Sequence, residues 1–479
     1  MLRRTKIVAT VGPATDDIEV LTGMMRAGLD VVRMNASHGT IADRRRRLAQ
    51  VREAAHRADR CIGVLLDLAG PKIRIEGFRD GRVQLAEGQA FTLDTEFDPR
   101  AGTSERVGVA YKELPRDVAA GDTLLLNDGQ MVLEVERVGA TTIETRVRTG
   151  GELSDRKGLN RRGGGISAPA ISERDHGDIK FAAEEGVDYL AVSFAREAAD
   201  IEQARALVRA AGGEARIVAK IERHEAVENL AGIIDASDVV MVARGDLGVE
   251  MGYAELTGLQ KTIIHETRAR NRVVITATQM MESMIQSPVP TRAEVSDVAN
   301  AVMDGTDAVM LSAESATGRY PVKAVEAMAE VIEGAEKYQL THPRSRQRGF
   351  EGQFRGTEEA IAMAVMYTAN HMKVRAIVAL TESGATPLWM SRIRSDIPVY
   401  AFTRHESTRR RVTLYRGVYP VIFDVTSYRT IEDLYRALFT RLLELELVKS
   451  RDLVILTKGE LSGVQGGTNS MLILKVVLD

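Results

Sequence analysis

Cysteine is almost missing from this chain: Cys61 is the only thiol in 479 residues. A single cysteine excludes an intrachain disulfide framework and fits a reducing compartment. Because Cys61 precedes an apolar, strand-like run, a core thiol is expected there rather than a nucleophile. An excess of charge of one sign is also lacking. The formal net charge of −3 gives no reason to expect a nucleic acid or an anionic membrane as partner. No apolar run approaches the roughly 18 residues that span a bilayer. The sequence begins Met1-Leu-Arg-Arg-Thr-Lys6 and enters a strand at once, without a secretory h-region. The expectation is a cytoplasmic protein. What is present is ordinary for a globular chain, with 44% hydrophobic and 27% charged residues. The length suits roughly two to four domains. The basic run Arg44 to Arg47 shares a helical pattern with Leu48, Val51 and Ala55 and is expected to be a solvated helix face.

Apolar runs alternate with amphipathic stretches. The runs are Lys6–Val11, Val31–Asn35, Ile62–Asp67, Tyr189–Phe194, Ile217–Glu222, Val239–Ala243, Val273–Ala277 and Ala308–Ser312, with helical periodicity between them, as in Ile18–Ala27, Ile201–Ala211 and Val322–Tyr338. Eight strands each followed by a helix predict a (β/α)8 barrel, whose active-site groups sit at the C-terminal ends of the strands. Polar residues fall at those ends: Arg33-Met-Asn-Ala-Ser37, Asp67, Lys220 and Glu222, Arg244 to Asp246, Thr276 to Gln279, and Ser312 to Glu314.

Two of these segments carry the strongest chemical signal. In Ile217-Val-Ala-Lys-Ile-Glu222, Lys220 and Glu222 are two apart and project to one side of a strand. If the next run, ending Val242-Ala-Arg-Gly-Asp246, is its neighbour, Glu222 and Asp246 gather two carboxylates beside one ammonium. Hard oxygen ligands of that kind suit Mg²⁺ carrying substrate phosphates. A structural ion pair at a strand end is the alternative.

Between Asp67 and Tyr189 the rhythm breaks. The surplus there reads as Arg82-Val-Gln-Leu, Phe91-Thr-Leu, Thr123-Leu-Leu-Leu, Met131-Val-Leu-Glu-Val and Thr142-Ile-Glu-Thr-Arg-Val, separated by Gly and Asp turns. This predicts a small β-rich domain inserted after the third strand, placed to act as a lid. A polar stretch, Thr341 to Gly356, is expected to be a linker. A helix near Glu359–His371 and strands at Ala376–Leu380, Val399–Phe402, Val421–Phe423 and Leu453–Leu456 then predict a second, open α/β domain. Its first strand runs into Thr381-Glu-Ser-Gly-Ala-Thr386 before a helix, an arrangement that can hold an anion or serve only as a structural cap. The late loop Leu461-Ser-Gly-Val-Gln-Gly-Gly467 either closes over the same spot or is a simple turn. The expected division is 1–69 with 168–340 as barrel, 70–167 as lid, and 357–479 as regulatory domain.

With these segments in order, the chain resembles the pyruvate kinases from end to end. The matching pieces are Thr5-Lys-Ile-Val-Ala-Thr-Val-Gly-Pro13, Arg33-Met-Asn-Ala-Ser-His-Gly39, Asp67-Leu-Ala-Gly-Pro-Lys-Ile-Arg74, Ile217–Val227, Ala243–Glu250, Thr276-Ala-Thr-Gln-Met-Met-Glu-Ser-Met284 and Leu311-Ser-Ala-Glu314. The resemblance implies transfer of a phosphoryl group from phosphoenolpyruvate to ADP. It assigns Glu222 and Asp246 to Mg²⁺ (or Mn²⁺), and Lys220 to the phosphoryl group in flight and the enolate oxygen. Arg33 takes the substrate phosphate, and Arg244, Gly245, Asp246 and Thr278 the carboxylate. Asn35, Ala36, Ser37, His38, Arg74 and Lys157 contact the nucleotide, and the proton for enolpyruvate passes near Thr278 and Ser312. A homotetramer is implied as well.

Three departures matter. Family members that need K⁺ have Thr and Glu where this chain has Leu68 and Lys72, so a fixed ammonium is expected to replace the cation, although Asn35, Ser37, Asp67 and the Leu68 carbonyl still match its site. The end of the lid reads Asn160-Arg-Arg-Gly-Gly-Gly165, with Ser167 for a usual Asp, which predicts a mobile hinge. In the C-terminal domain, Thr381, Ser383, Gly384 and Thr386 are the expected effector residues, with Ala385 where relatives often have a cation. That pattern resembles the isozyme type activated by AMP or a sugar monophosphate. The competing readings are a Mg²⁺-dependent aldolase or lyase, and a non-catalytic metabolite sensor.

Overall fold

A computed structural model describes residues 2–342, 353–354, 356–459 and 467–477. Most of the expected linker, and residues 461–466 of the late loop, lie outside the described residues. Eight parallel strands close a barrel in chain order: Lys6–Val11, Val31–Asn35, Gly63–Asp67, Tyr189–Val192, Arg216–Ile221, Val239–Ala243, Val273–Ala277 and Ala308–Leu311. These are the eight apolar runs of the sequence, with an end shifted by one or two residues in four of them.

The two-residue period of a strand sets up the site. Val8, Val31, Leu65, Ala191, Val218 and Met310 point into the barrel and belong to one buried cluster. Two residues further along each strand or just past its end stand Thr10, Arg33, Asp67, Ser193, Lys220 and Ser312. Polar chemistry therefore starts where the apolar filling stops, at the C-terminal mouth. At the opposite end the same apolar cluster continues into Val365, Ile377, Met390 and Leu414 of the C-terminal domain, which closes the barrel floor.

The outer helices are capped as the sequence suggests. Thr40 and Asp43 exchange backbone-to-side-chain bonds at the start of Ile41–Arg57. One expectation fails here: Arg44 is not on a solvated face. It is 5% exposed and paired with Asp178 of the helix Glu173–Glu184. Positions 44, 48 and 51 share one helical stripe, so Arg44 follows Leu48 and Val51 inward. Arg45 and Arg46 do face solvent.

After the third strand comes the expected β insertion. It forms a six-stranded sheet plus a two-stranded one, eight strands in all. Five match the sequence runs. Arg106–Gly108, Gly151–Ser154 and Leu159–Arg161 were not anticipated, being too short to show an alternation.

In the C-terminal sheet the order is Val418–Ile422, Val399–Thr403, Ala376–Leu380, Leu453–Gly459, Thr468–Lys475, with the last strand antiparallel. The strand expected at Val421–Phe423 starts earlier, at Val418. It runs through Pro420, which an edge strand tolerates. The strand Thr468–Lys475 was not anticipated, because its polar start hides the alternation.

Candidate active site

Lys220 is the centre of the barrel mouth. Its Nζ lies 2.8 Å from Glu222 Oε1 and 3.4 Å from Asp67 Oδ1, and donates to Ser193 Oγ at 2.8 Å. Burial alone would lower its pKa, but Asp67 and Glu222 outweigh burial and raise it, so the ammonium is kept charged. Arg33 completes the pair of cations. Its Nε donates to Asp67 Oδ2 at 2.8 Å and its Nη1 to Thr10 Oγ1 at 2.9 Å. Asp67 is buried, which would raise its pKa, yet Lys220 and Arg33 hold it below the usual carboxylate range.

The strands that lead to Glu222 and Asp246 are neighbours, which meets the condition set in the sequence. Glu222 follows the end of Arg216–Ile221, and its Oε2 accepts from Phe194 N at 2.8 Å. Its pKa is raised by burial; Lys220 lowers it and the Asp246 charge raises it further. Asp246 does not sit in a turn, as expected from Gly-Asp, but in the first turn of the helix Arg244–Met251. The helix N-terminus favours a carboxylate there. Buried Glu222 with like charges nearby fits a divalent cation, whose two positive charges relieve that repulsion.

Lys72 reaches into this group, its Nζ lying 3.1 Å from Asp246 Oδ1. Asn35 pairs with Asp67 across the second and third strands, and its Oδ1 accepts from Ser37 N at 3.0 Å. The Leu68 carbonyl accepts from Ser193 Oγ at 2.8 Å. Asn35, Ser37, Asp67 and Leu68 thus lie around the ends of two adjacent strands, while the ion pair of Lys72 falls on Asp246.

Thr278 is held with a φ of 67°, a left-handed conformation costly for a branched residue. Its hydroxyl accepts from Gly245 N at 2.8 Å and donates to Ala277 O at 2.7 Å, which ties the sixth and seventh loops together. Arg244 is spent internally, on Asp297 at 2.7 Å and on the Thr278 carbonyl at 2.9 Å. These bonds brace the loop that follows the seventh strand. The Ser312 hydroxyl is buried without a hydrogen-bond partner, and Ser312 N donates to Glu314 Oε2 at 2.7 Å.

The nucleotide candidates are more dispersed. Ala36 is buried, with its carbonyl accepting from Arg174 at 2.8 Å, and His38 is exposed. Arg74 and Lys157 lie on the lid, joined through the Arg74–Gly158 bridge and the bond from Ile75 N to Lys157 O at 3.0 Å. In the C-terminal domain, Gly384 N donates to Thr381 Oγ1 at 2.9 Å, and Gly384 has a φ of 84°. Thr386 is buried and its hydroxyl bonds Thr468 Oγ1 at 2.7 Å. Ser383 lines a cleft beside Arg404, His405 and Arg411. Cys61 is half-buried, with burial pushing its thiol up to about 12, so it is mostly protonated and reacts slowly near neutral pH.

Sequence reasoning missed Ser193, Thr10 and Asp297. The first two stand at the C-terminal ends of barrel strands, and that position was the available signal.

A closed barrel with a β-rich insertion above a charged mouth, an ammonium between carboxylates and an adjacent guanidinium, defines a (β/α)8 enzyme for anionic substrates. The comparisons with known proteins carry this further. The family profile "Pyruvate kinase, barrel domain" matches residues 2–325, and "Pyruvate kinase, alpha/beta domain" matches residues 359–474. "Pyruvate kinase II" of Salmonella typhimurium is 52% identical over 99% of both chains. A "Pyruvate kinase" of Haemophilus influenzae is 51% identical over 99% of both. Among solved structures, a pyruvate kinase from Cryptosporidium parvum superposes with a TM-score of 0.91 at 32% identity, covering 99% of this chain and 96% of that one. The chain belongs to the pyruvate kinase family and is a phosphotransferase.

Proposed function

We propose that this chain moves the phosphoryl group of phosphoenolpyruvate to ADP, giving ATP and pyruvate, at the mouth centred on Lys220. The observation that carries the reading is the Lys220 ammonium, 2.8 Å from Glu222 and flanked by Asp67 and Arg33. Phosphoryl transfer needs positioning and charge stabilisation more than covalent help. Lys220 and Arg33 face the migrating phosphoryl group, Lys220 also the enolate oxygen, and residues 244–246 with Thr278 orient the carboxylate, the Gly245 N–H turning to it from its bond to the Thr278 hydroxyl. Glu222 and Asp246 would hold Mg²⁺, or Mn²⁺. When bound, the metal neutralises charge on the transferring oxygens. The proton for the enolate passes by Thr278 and Ser312, whose buried hydroxyl lacks a partner. Asn35 to His38, Arg74 and Lys157 hold the nucleotide.

Turnover is proposed not to require K⁺. Lys72 places a fixed positive charge on Asp246 at 3.1 Å, beside a proposed substrate group rather than on the Asn35, Ser37, Asp67 and Leu68 set itself. An AMP or sugar-monophosphate activator is proposed at Thr381, Ser383, Gly384 and Thr386, with the Arg404 guanidinium nearby. The 1–69/168–340, 70–167 and 357–479 division and a homotetramer complete the reading. Among the described residues no helix is long and apolar enough to cross a membrane.

The direct test is pyruvate formation from phosphoenolpyruvate and ADP with Mg²⁺, coupled to lactate dehydrogenase, in tetramethylammonium and in K⁺ salts. Rapid turnover in both supports the reading. No turnover in either, even with a panel of sugar monophosphates and AMP, removes it. A mass of one chain in sedimentation refutes the tetramer.

A further inference from the structure

At the end of the barrel away from Lys220, a cavity of about 200 Å³ opens beside the N-terminal ends of the third and fourth strands. Its walls come from two domains, the barrel helix Ile41–Arg57 and the short C-terminal-domain helix Glu406–Arg411. The floor is apolar and buried, made by Leu48, Val51, Ile62, Val64 and Val187. The rim is cationic, with four guanidinium groups and Glu406 as the one carboxylate.

These cations are not all spent. Arg410 is committed to Asp188, with its Nε at 3.0 and 3.2 Å from the two oxygens. Arg52 donates to the Glu185 carbonyl. Arg60 makes only long contacts, to the Leu29 carbonyl at 3.5 Å and to Asp30 at 3.6 Å. Arg409 meets Glu406 at 3.2 Å through Nη1, but its Nε is buried without a hydrogen-bond partner. Buried donors are nearly always paired, so this one marks an unmet bond. Apolar floor, cationic rim and a free donor together are the features of a small-molecule site.

We propose that this cavity binds a compact organic anion, a carboxylate or monophosphate bearing a short apolar chain. The charged end sits on Arg409 and Arg60 and the chain lies on Val51 and Ile62. Because its walls belong to different domains, an occupant favours one arrangement of the C-terminal domain on the barrel and reports to the active site through it.

Cys61 lines the same cavity and is the only thiol of the chain, so it serves as a local reporter. The full chain is treated with methyl methanethiosulfonate at pH 8 and modification is followed by intact mass, with butyl phosphate or butyrate as probe. At least one probe is expected to slow modification fivefold or more with saturable dependence, and the stronger of the two identifies the preferred head group. n-Butanol and inorganic phosphate should change the rate less than twofold. Arg409→Met removes the free donor, and Ala55→Met fills the cavity from the barrel side. Each should abolish the protection while turnover stays at the parent level. Insensitivity to both probes, or protection that survives either substitution, overturns the proposal.

Discussion

Among single residues, Lys220 and Lys72 carry most of the proposed chemistry. Lys220 is the ammonium whose charge is secured by Asp67 and Glu222. Lys220→Met is expected to lower kcat by about 10³-fold or more with a small change in the KM for phosphoenolpyruvate, because its contribution grows as charge develops in the transition state. Steady-state kinetics on a variant with unchanged circular dichroism checks this; a loss confined to KM sinks the assignment. Lys72 tests a different point. Lys72→Glu removes a positive charge beside Asp246 and adds a negative one. The rate in tetramethylammonium should fall on the order of a hundredfold, about 3 kcal/mol of barrier, and K⁺ should restore it. A variant equally active in both salts shows that Lys72 does not stand in for the cation.

Elements matter most at the junction between the β insertion and the barrel. Asn160, on the lid strand Leu159–Arg161, donates to Glu250 Oε1 at 3.2 Å, and His224 N donates to Oε2 at 3.1 Å. Just beyond, Gly163, Gly164 and Gly165 all have positive φ (79°, 75° and 90°), which side-chain-bearing residues rarely adopt. Burial pushes Glu250 up to about 7, against the bonds from His224 N and Asn160 and the Arg223 charge, with Glu225 adding to the rise. The folded value is above the unfolded one, so the native state holds more protons between them. Stability from this group is complete below about 4.5 and is lost as pH rises through about 7. Between pH 5 and 8 wild type should lose on the order of 2 kcal/mol relative to Glu250→Gln. Parallel melting profiles for the two proteins across that range would contradict it. Only the glycine run was legible beforehand; the Glu250 contacts were not. Asn160 and the three glycines stood out in the sequence, but the partner of Asn160 lies 90 residues away and is set by packing. The barrel mouth was legible because strand period alone puts Arg33, Asp67 and Lys220 on one inner face. The Lys72–Asp246 pair was not, since it joins an insertion to a barrel loop. The short lid strands were hidden for want of alternating positions.

For the whole molecule, the question is what fixes the C-terminal domain to the barrel. The apolar cluster shared by Leu65, Val218, Ile377 and Leu414 supplies area, and charged pairs cross between the domains. Arg392, at the end of the helix Ala385–Ser391, bonds both oxygens of Asp307 ahead of the eighth strand, one at 2.9 Å, and the Arg272 carbonyl at 2.6 Å. Both side chains are buried, at 6% and 0% exposure. Taking two charges out of water offsets much of their attraction, so the pair adds little net stability against an apolar replacement. Removing one partner is different, because the other charge stays buried. Asp307 keeps only its bond from Val274 N at 2.9 Å. Arg392→Met should therefore cost about 3–5 kcal/mol, and adding Asp307→Asn should return a good part of it. Denaturant melts of the single and double variants give the comparison. A double variant no more stable than Arg392→Met would mean that the guanidinium acts through packing and its bond to Arg272, rather than by neutralising Asp307. If the double variant recovers while any response to the proposed AMP or sugar-monophosphate activator is lost, the pair fixes domain orientation rather than stability, as coupling from the proposed effector site across the barrel floor would require.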